Sequence, residues 1–252
     1  MTGAVHFIAA DINVGTHVQR FGLDLDVVWA TVVAMAIVIG IGLTLRSRAT
    51  SGVPGKLQLA WEMVVQAVGQ QVEGSIGPRG AAVVPLAVAL FFFILIANWF
   101  SVLGIGSEIE WIGPPTSDIN MTLALAFIVI IPVHIASIRA RGLGGYLRHY
   151  VTQPFPKFLF PVNIFINGVE EIAKPLTLAL RLFGNLLSGG LMLALIAALG
   201  VWTIFHVPIG YVATPLLDLI WKPFDLAIGA IQAFIFALLT ILYFDSAMSE
   251  AH

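Results

Sequence analysis

The stretch Leu176–Leu195, LTLALRLFGNLLSGGLMLAL, decides the fold, because it is apolar over the thickness of a membrane and yet carries one arginine, Arg181. A helix that spans a bilayer needs about 20 predominantly apolar residues. An arginine at the centre of such a helix costs about 2.5–3.5 kcal/mol on insertion scales, and a charge placed there is functional by default. The stretch therefore predicts a membrane-spanning helix and makes Arg181 the first candidate site residue.

The composition of the whole chain predicts a polytopic helical membrane protein. Of its 252 residues, 59% are hydrophobic and only 10% are charged, whereas soluble domains carry about 25% charged residues. We expect one membrane domain over residues 1–252, since no stretch is long and polar enough to fold as a separate soluble module. The net charge of −2 gives no support for nucleic acid as a partner, and the lack of cysteine excludes disulfides and thiolate metal sites.

Apolar stretches predict the membrane helices of an all-α fold. We expect five membrane-crossing helices, at residues 27–45, 81–103, 119–138, 161–199 and 215–244. The last two are longer than the roughly 20 residues that a perpendicular span needs, so we expect them to form a tilted hairpin. Residues 1–26 are assigned to an N-terminal segment on the outer side.

Residues 56–73, KLQLAWEMVVQAVGQQVE, predict an amphipathic helix that lies at the membrane interface rather than a further crossing. Polar side chains recur nearly every four positions in this stretch, and the other positions are mostly apolar, which is the pattern of an interfacial helix. The polar positions are Gln58, Glu62, Gln66, Gln70 and Glu73.

Basic residues predict the orientation of the chain, because the loops on the cytoplasmic side of a membrane protein are enriched in lysine and arginine. The connection of residues 104–118 carries two glutamates and one aspartate, Asp118, which we expect to be exposed, and it has no basic residue. We therefore predict an outer N-terminus and a cytoplasmic C-terminus. The connections on the other side carry the basic residues Arg46, Arg48, Lys56, Arg79, Arg139, Arg141, Arg148 and Lys157.

The span at residues 161–199 places several polar side chains on one face. Positions separated by four or seven residues lie close together around a helix that turns about 100° per residue. Glu171 lies beside this stripe, and the remaining faces are apolar. The members of the stripe are Glu170, Lys174, Arg181, Asn185 and Ser188.

The last span carries a second polar face. Asp218, Asp225 and Gln232 are spaced by seven residues, and Lys222 can reach either of the two carboxylates. Because the last two spans run in opposite directions, carboxylates are expected on both sides of the level of Arg181. The outer set consists of Asp218 and Asp225, and the inner set consists of Glu170 and Glu171.

The chemistry of these residue types predicts separate roles. A guanidinium does not deprotonate in proteins, so Arg181 can attract a carboxylate on a partner and can repel a proton, but it cannot relay one. A partner carboxylate would have a lowered pKa beside Arg181 and a raised pKa when it faces lipid. The two acidic sets would then act as water-filled proton relays to opposite sides of the membrane. Snorkelling to the interface explains Lys174 and Lys222 equally well.

No motif in the sequence predicts a cofactor or a metal site. The chain has no nucleotide-binding loop and no hydrolase or metalloprotease motif. His206 is expected to be exposed in an outer loop. The histidines considered as ligands show no metal-ligand spacing, and they are His6, His17, His149 and His252.

Several motifs resemble those of subunit a of the F-type ATP synthases. KPLTLALRLFGN (Lys174–Asn185) is similar to the signature of that family, and QAFIFALLTILYF (Gln232–Phe244) is similar to its final helix. Further similar segments are PTSDINMTLALAF (Pro115–Phe127), RGLGGYL (Arg141–Leu147) and QPFPKFLFPVN (Gln153–Asn163).

The resemblance implies a stator subunit in a bacterial plasma membrane, beside a rotating ring of c subunits that each carry a membrane-embedded carboxylate. Arg181 falls on the essential arginine of the family, and Asn185 and Gln232 fall on its neighbouring polar positions. The family holds two offset half-channels for protons. The further implied partners are peripheral-stalk b-type subunits, through the helix at 56–73, and the chain by itself is not an enzyme.

The chain departs from the family pattern at one pair of positions. Many members have a glutamate five residues after the asparagine and a histidine seven residues before the glutamine, or the reverse. Here these positions are Gly190 and Asp225. The outer relay is therefore expected to depend on Asp225, with Asp218, Ser188, Asn185 or water in place of the missing partner.

Two alternative functions remain open from the sequence. One is a sodium-translocating version of the same subunit, because the ligands of the c subunit largely set the choice of ion. The other is a stand-alone secondary transporter, which usually shows internal repeats or broken helices around a midplane site. A purely structural scaffold is disfavoured, because it would have no use for Arg181 and its flanking acids.

Overall fold

The computed structural model describes residues 19–20, 23–50, 52–103, 114–152, 155–199 and 210–249. The helices are α1 (Leu25–Arg48), α2 (Lys56–Ser75), α3 (Val84–Leu103), α4 (Ile119–Thr152), α5 (Phe160–Leu199) and α6 (Gly210–Ser249). Two short strands, β1 (Gln19–Arg20) and β2 (Leu23–Asp24), pair antiparallel before α1. Most of the predicted N-terminal segment lies outside the described residues, as does His206. Short 3-10 turns occupy Pro78–Ala82, Pro115–Ser117 and Lys157–Leu159.

The predicted all-α membrane fold is confirmed. Among the described residues, five helices are long and apolar enough to cross a membrane, and they correspond to the five predicted spans. Large apolar side chains cover the outside of the bundle, since Phe165, Ile172, Leu219 and Ile220 are each about 70% exposed. A soluble protein rarely exposes apolar surface on this scale, whereas lipid is a suitable environment for it.

The helices approach one another closely because small side chains lie where they cross. Without a strong hydrophobic driving force in lipid, helices associate through close packing, and alanine allows it. Six alanines of this core are at most 1% exposed, and α1, α3, α4, α5 and α6 each contribute at least one of them. They are Ala30, Ala34, Ala97, Ala126, Ala179 and Ala233.

Helices α5 and α6 form the predicted antiparallel hairpin. Each has 40 residues and therefore extends about 60 Å, against about 30 Å for a bilayer core. The Thr214 hydroxyl donates a hydrogen bond to the carbonyl of Ile196 at 3.4 Å, and Gly189 lies against Asp225 further along the pair. The first contact lies near the connected ends, and the second lies deeper in the hairpin.

Helix α4 continues past its predicted end at residue 138, but it changes direction at Gly142. This glycine has φ 70° and ψ 161°, a backbone conformation that favours a residue without Cβ. The segment after the kink ends at Thr152, and its Tyr146 hydroxyl lies 3.1 Å from Nδ1 of His134 in the first part of α4. The kink therefore returns polar side chains to the end of the bundle.

Helix α2 is amphipathic, as predicted. Its residues Val68 and Val72 are buried in a cluster with Ile241 of α6, and Trp61 stacks on Phe92 of α3 with ring centroids 4.2 Å apart. The polar positions Glu62, Gln66, Gln70 and Glu73 are exposed on the opposite side. The placement of α2 at the interface of a bilayer stays a prediction.

Asn163 stabilises the connection between α4 and α5 through hydrogen bonds. Its side chain is fully buried, and its Nδ2 donates hydrogen bonds to the carbonyls of Val151 and Phe155 at 2.9 Å each. Its Oδ1 accepts a hydrogen bond from the amide of Phe155 at 3.0 Å. One amide side chain thus satisfies three backbone groups.

We expect Asn163→Leu to lower the thermal stability of the assembled protein. Leucine has a similar volume but leaves these backbone groups unsatisfied, and each such group costs about 1–3 kcal/mol when it is buried. The measurement is the unfolding temperature of the purified protein in detergent. Asn120→Leu changes an exposed asparagine and should have little effect. Equal unfolding temperatures for the two variants would refute this role of Asn163.

Candidate functional site

Arg181 lies on an uncovered side of α5. The side chain is exposed, while its neighbours Leu178 and Leu182 are buried in the core. Within the part of the chain that the structure describes, the guanidinium makes no hydrogen bond or ion pair. The charge therefore faces outward from the bundle without a partner from this chain.

The polar stripe predicted on α5 follows the edge of this uncovered side. Glu170, Arg181 and Ser188 are exposed, whereas Lys174 and Asn185 are half-buried. The Ser188 hydroxyl donates a hydrogen bond to the carbonyl of Gly184 at 2.7 Å, so it is directed to its own helix. The stripe is thus continuous, but its members differ in how far they reach into the bundle.

Asp225 of α6 is the centre of a polar cluster at one end of the site. The carboxylate is only 8% exposed, and its Oδ2 accepts a hydrogen bond from the hydroxyl of Ser101 on α3 at 3.0 Å. A Cβ on Gly189 of α5 would lie 2.6 Å from Oδ1 of Asp225. The carboxylate can occupy this position only because residue 189 has no side chain.

Asn98 and Thr116 extend this cluster. Asn98 on α3 is 2% exposed, and its Nδ2 donates a hydrogen bond to the carbonyl of Gly229 on α6 at 3.2 Å. Its Oδ1 accepts a hydrogen bond from the Thr116 hydroxyl at 2.8 Å. We define the Asp225 cluster as Asp225, Ser101, Asn98 and Thr116.

Asp118 is buried, which corrects the expectation that it is exposed in a loop. It is 9% exposed, and its Oδ1 accepts hydrogen bonds from the amides of Asn120 and Met121 at 2.7 and 3.0 Å. It is therefore the N-terminal cap of α4, where a short acceptor side chain satisfies amides that have no helical partner.

The other polar residues predicted for this end are arranged separately. Asp218 pairs with Lys222 on the same helix at 3.5 Å. Nδ2 of Asn185 and Nε2 of Gln232 are buried and have no hydrogen-bond partner within the described residues. Ser101, rather than Asp218, Ser188 or Asn185, donates the hydrogen bond to Asp225. Asn185 and Gln232 thus keep unused donors inside the bundle.

A second polar region lies at the other end of the site, in a partly open cavity of about 190 Å³. Helix α5 contributes Glu170, Glu171 and Lys174 to its lining, and α4 contributes His134 and Tyr146. Nζ of Lys174 lies 3.1 Å from an oxygen of each glutamate. We call this region the Glu171 cavity.

His134 links the two helices across the Glu171 cavity. Its Nε2 lies 3.2 Å from Oε2 of Glu171, and its Nδ1 lies 3.1 Å from the hydroxyl of Tyr146. That hydroxyl lies 2.8 Å from the hydroxyl of Tyr150. His134 and the two tyrosine hydroxyls therefore form a row of hydrogen-bonding groups along the cavity wall. At its end lies Oε2 of Glu171, which is close to His134 but makes no hydrogen bond within the described residues.

The two polar regions lie on opposite sides of the level of Arg181. Along α5, Glu171 is about 15 Å before Arg181, and Gly189, which faces Asp225, is about 12 Å after it. Because α6 runs antiparallel from Asp225, Gln232 lies about 10 Å back along it and hence near the level of Arg181. The carboxylates thus flank the arginine as the sequence predicts.

Reasoning from sequence missed His134, Tyr146, Ser101 and Asn98. His134 could have been found, because an ionisable residue inside an apolar span is a functional candidate by default. Hydroxyl and amide groups such as Ser101 and Asn98 carry no such signal, because only the packing of α3 against α6 makes them neighbours of Asp225. Among the described residues, no three histidine, aspartate or glutamate side chains are grouped to bind a metal ion.

Comparison with known proteins identifies the family. A sequence profile described as ATP synthase A chain matches residues 27–245. A protein named ATP synthase subunit a from Acidothermus cellulolyticus is 48% identical over 244 residues, which cover 95% of this chain and 84% of that protein. Proteins of the same name from Mycobacterium marinum and Colwellia psychrerythraea are 44% and 39% identical, over 96% and 81% of this chain and 95% and 79% of theirs.

These matches confirm the resemblance seen in the motifs, and they extend over all the helices that could cross a membrane. The chain therefore belongs to the family of ATP synthase subunit a, a multi-pass subunit of the membrane sector.

Proposed function

We propose that this chain conducts protons to and from the carboxylates of a c-ring through two offset half-channels, which Arg181 separates. Proton flow is thereby coupled to rotation of the ring and to ATP synthesis. The chain itself binds no ATP and carries out no covalent chemistry. The observation that carries the proposal is the uncovered guanidinium of Arg181 between the buried Asp225 cluster and the partly open Glu171 cavity.

The position of Arg181 suits contact with a partner. A cation that faces lipid would be costly, so a partner carboxylate is the suitable neighbour for it. A ring carboxylate that reaches Arg181 is stabilised in its charged form and releases its proton, and it must be protonated again before it enters lipid. The permanent charge of Arg181 also repels a proton that would cross directly between the half-channels.

The Asp225 cluster supports an outer half-channel. It combines the buried carboxylate on α6 with hydroxyl and amide groups on α3 and on the turn before α4. Such a set of groups suits proton transfer along water. Asn185 and Gln232 hold unused donors between this cluster and the level of Arg181. Asp218, paired with Lys222, lies seven residues before Asp225 and would be the outermost acid of the route.

The Glu171 cavity supports an inner half-channel. Both Glu170 and Glu171 line it, and Lys174 holds a carboxylate oxygen of each. A lysine in contact with both carboxylates disfavours a sodium ion at the same place, because the two cations would repel each other. This arrangement therefore favours protons as the transported ion.

The separation of the two polar regions couples proton flow to rotation of the ring. One elementary charge that crosses 100 mV releases about 2.3 kcal/mol. A proton that enters on one side can leave on the other only after the ring has carried it, so this energy drives rotation. The basic connections favour an outer N-terminus, and the family resemblance implies a bacterial plasma membrane. The exposed side of α2 offers a contact for peripheral-stalk b-type subunits.

We expect Arg181→Ala to abolish ATP-driven proton pumping, because nothing then discharges the ring carboxylate or blocks direct passage. Inverted vesicles that contain the complete ATP synthase would show no acidification above background. Passive proton leak through the membrane sector should rise in the same vesicles.

The matched control is Arg139→Ala, which removes an exposed arginine near the end of the predicted third span. It should pump close to the unmodified rate. Normal pumping by Arg181→Ala would overturn the proposed function.

We expect Gly189→Ala to slow proton pumping at least several-fold. The new Cβ would lie 2.6 Å from Oδ1 of Asp225, so it must displace the carboxylate from its place beside Ser101. The pumping rate per assembled complex is the measurement, with Asp225→Asn as a second variant that removes the charge.

Gly190→Ala is the control for this position, since a Cβ on Gly190 meets no atom within 4 Å. It should leave the rate nearly unchanged. Equal rates for Gly189→Ala, Asp225→Asn and Gly190→Ala would exclude Asp225 from the route.

A further inference from the structure

We propose that His134 is the proton-carrying group of the Glu171 cavity, with Glu171 as its counter-ion and Tyr146 as the residue that orients its ring. The inference rests on the proposed function, since it names the side chain through which the inner half-channel passes its protons. His134 lies outside the motifs that carry the family resemblance.

The ring of His134 has a polar neighbour at each nitrogen and a hydrogen bond at Nδ1. Nε2 faces Oε2 of Glu171 at 3.2 Å, and Nδ1 faces the Tyr146 hydroxyl at 3.1 Å. The histidine is about 30% exposed and lines the cavity, so water can reach it. A side chain that is fixed in orientation and still wet is suited to exchange protons with water.

The hydroxyl pair lets the ring change its protonation without losing a hydrogen bond. When His134 is neutral with its proton on Nε2, the Tyr146 hydroxyl donates to Nδ1. When Nδ1 is also protonated, the Tyr146 oxygen accepts from it and the hydroxyl turns toward Tyr150, 2.8 Å away. A hydroxyl can serve as donor or acceptor, so Tyr146 stabilises both forms.

Titratable and charged side chains from three helices surround His134. Its own helix contributes Arg141, Tyr146, His149 and Tyr150, α5 contributes Glu170, Glu171 and Lys174, and α6 contributes Tyr243. These are the titratable and charged side chains that line the cavity with His134.

Each cation among these side chains has acceptors of its own. Arg141 donates hydrogen bonds to the carbonyls of Ser246 and Ala247 at 3.3 and 3.2 Å, where the negative end of the α6 dipole stabilises it. Lys174 contacts Oε1 of both glutamates, and Oε2 of Glu171, which faces His134, has no hydrogen-bond partner within the described residues. This oxygen is therefore the acceptor that an imidazolium at His134 would meet.

Histidine is also the side chain of this set whose ordinary titration lies closest to neutral pH. In ATP-driven pumping, the Tyr146 hydroxyl passes its proton to Nδ1 and takes one from water on the inner side. The N–H bond on Nδ1 then breaks as its proton returns to the Tyr146 oxygen, whose other proton passes to water toward Arg181, about 15 Å beyond Glu171 along α5. Glu171 and Lys174 keep their charges throughout, and the reverse sequence applies during ATP synthesis.

The test is ATP-driven proton pumping by inverted vesicles that contain the complete ATP synthase, at about pH 8 in weak buffer, where protons are scarce and a histidine relay is most needed. We expect His134→Gln and His134→Ala to pump several-fold more slowly than the unmodified complex. Added imidazole should restore the rate of His134→Ala several-fold, because it can enter the cavity and carry the proton in place of the missing ring.

His149→Ala is the matched control, because this histidine lines the same cavity but packs edge-on against Tyr150, with ring centroids 6.0 Å apart. Imidazole should not accelerate this variant. Glu171→Gln should also slow pumping, because a neutral amide stabilises an imidazolium less than the carboxylate oxygen 3.2 Å from Nε2 does.

Membrane-bound ATP hydrolysis reports assembly in each variant, so slow pumping can be separated from loss of the complex. An unmodified rate in assembled His134→Gln, or equal acceleration of His134→Ala and His149→Ala by imidazole, would overturn the inference. Loss of pumping in Arg181→Ala alongside either result would leave the proposed function standing and remove only the role of His134.

Discussion

The charge of Arg181 is the constraint on which the rest of the structure depends. A guanidinium cannot become neutral to reduce its cost in a membrane, so its surroundings must accommodate it. Helix α5 presents it on an uncovered side and buries Leu178 and Leu182 behind it. In the proposed mechanism the missing neighbour is supplied by another subunit, which explains why this chain provides none within its described part.

The two polar regions illustrate different ways to keep carboxylates inside an apolar bundle. Asp225 is buried and depends on one hydroxyl and on the space that Gly189 leaves. Glu171 is more exposed and is held by a lysine and a histidine on separate oxygens. In the proposed mechanism, the first arrangement suits a narrow route for protons. The second suits a wider route that contains more water.

The antiparallel hairpin of α5 and α6 gives these regions their spacing. Because each helix rises about 1.5 Å per residue, polar residues a few turns apart on one helix are far apart in depth. Asp225 faces Gly189 rather than Arg181, so the Asp225 cluster and the Glu171 cavity are offset along the hairpin. The kink at Gly142 completes the Glu171 cavity, since it returns Tyr146 and Tyr150 to the cavity wall.

The sequence by itself determined the membrane helices, the amphipathic α2 and the polar stripe, because apolar length and helical periodicity are local properties of the chain. It also placed acids on both sides of Arg181, since those positions follow from spacing along two helices. The partners of these acids were decided only by the tertiary structure. Ser101 bonds Asp225, and His134 contacts Glu171, across pairs of helices that are distant in sequence. Spacing along one helix carries no information about which side chain a neighbouring helix brings to the same place.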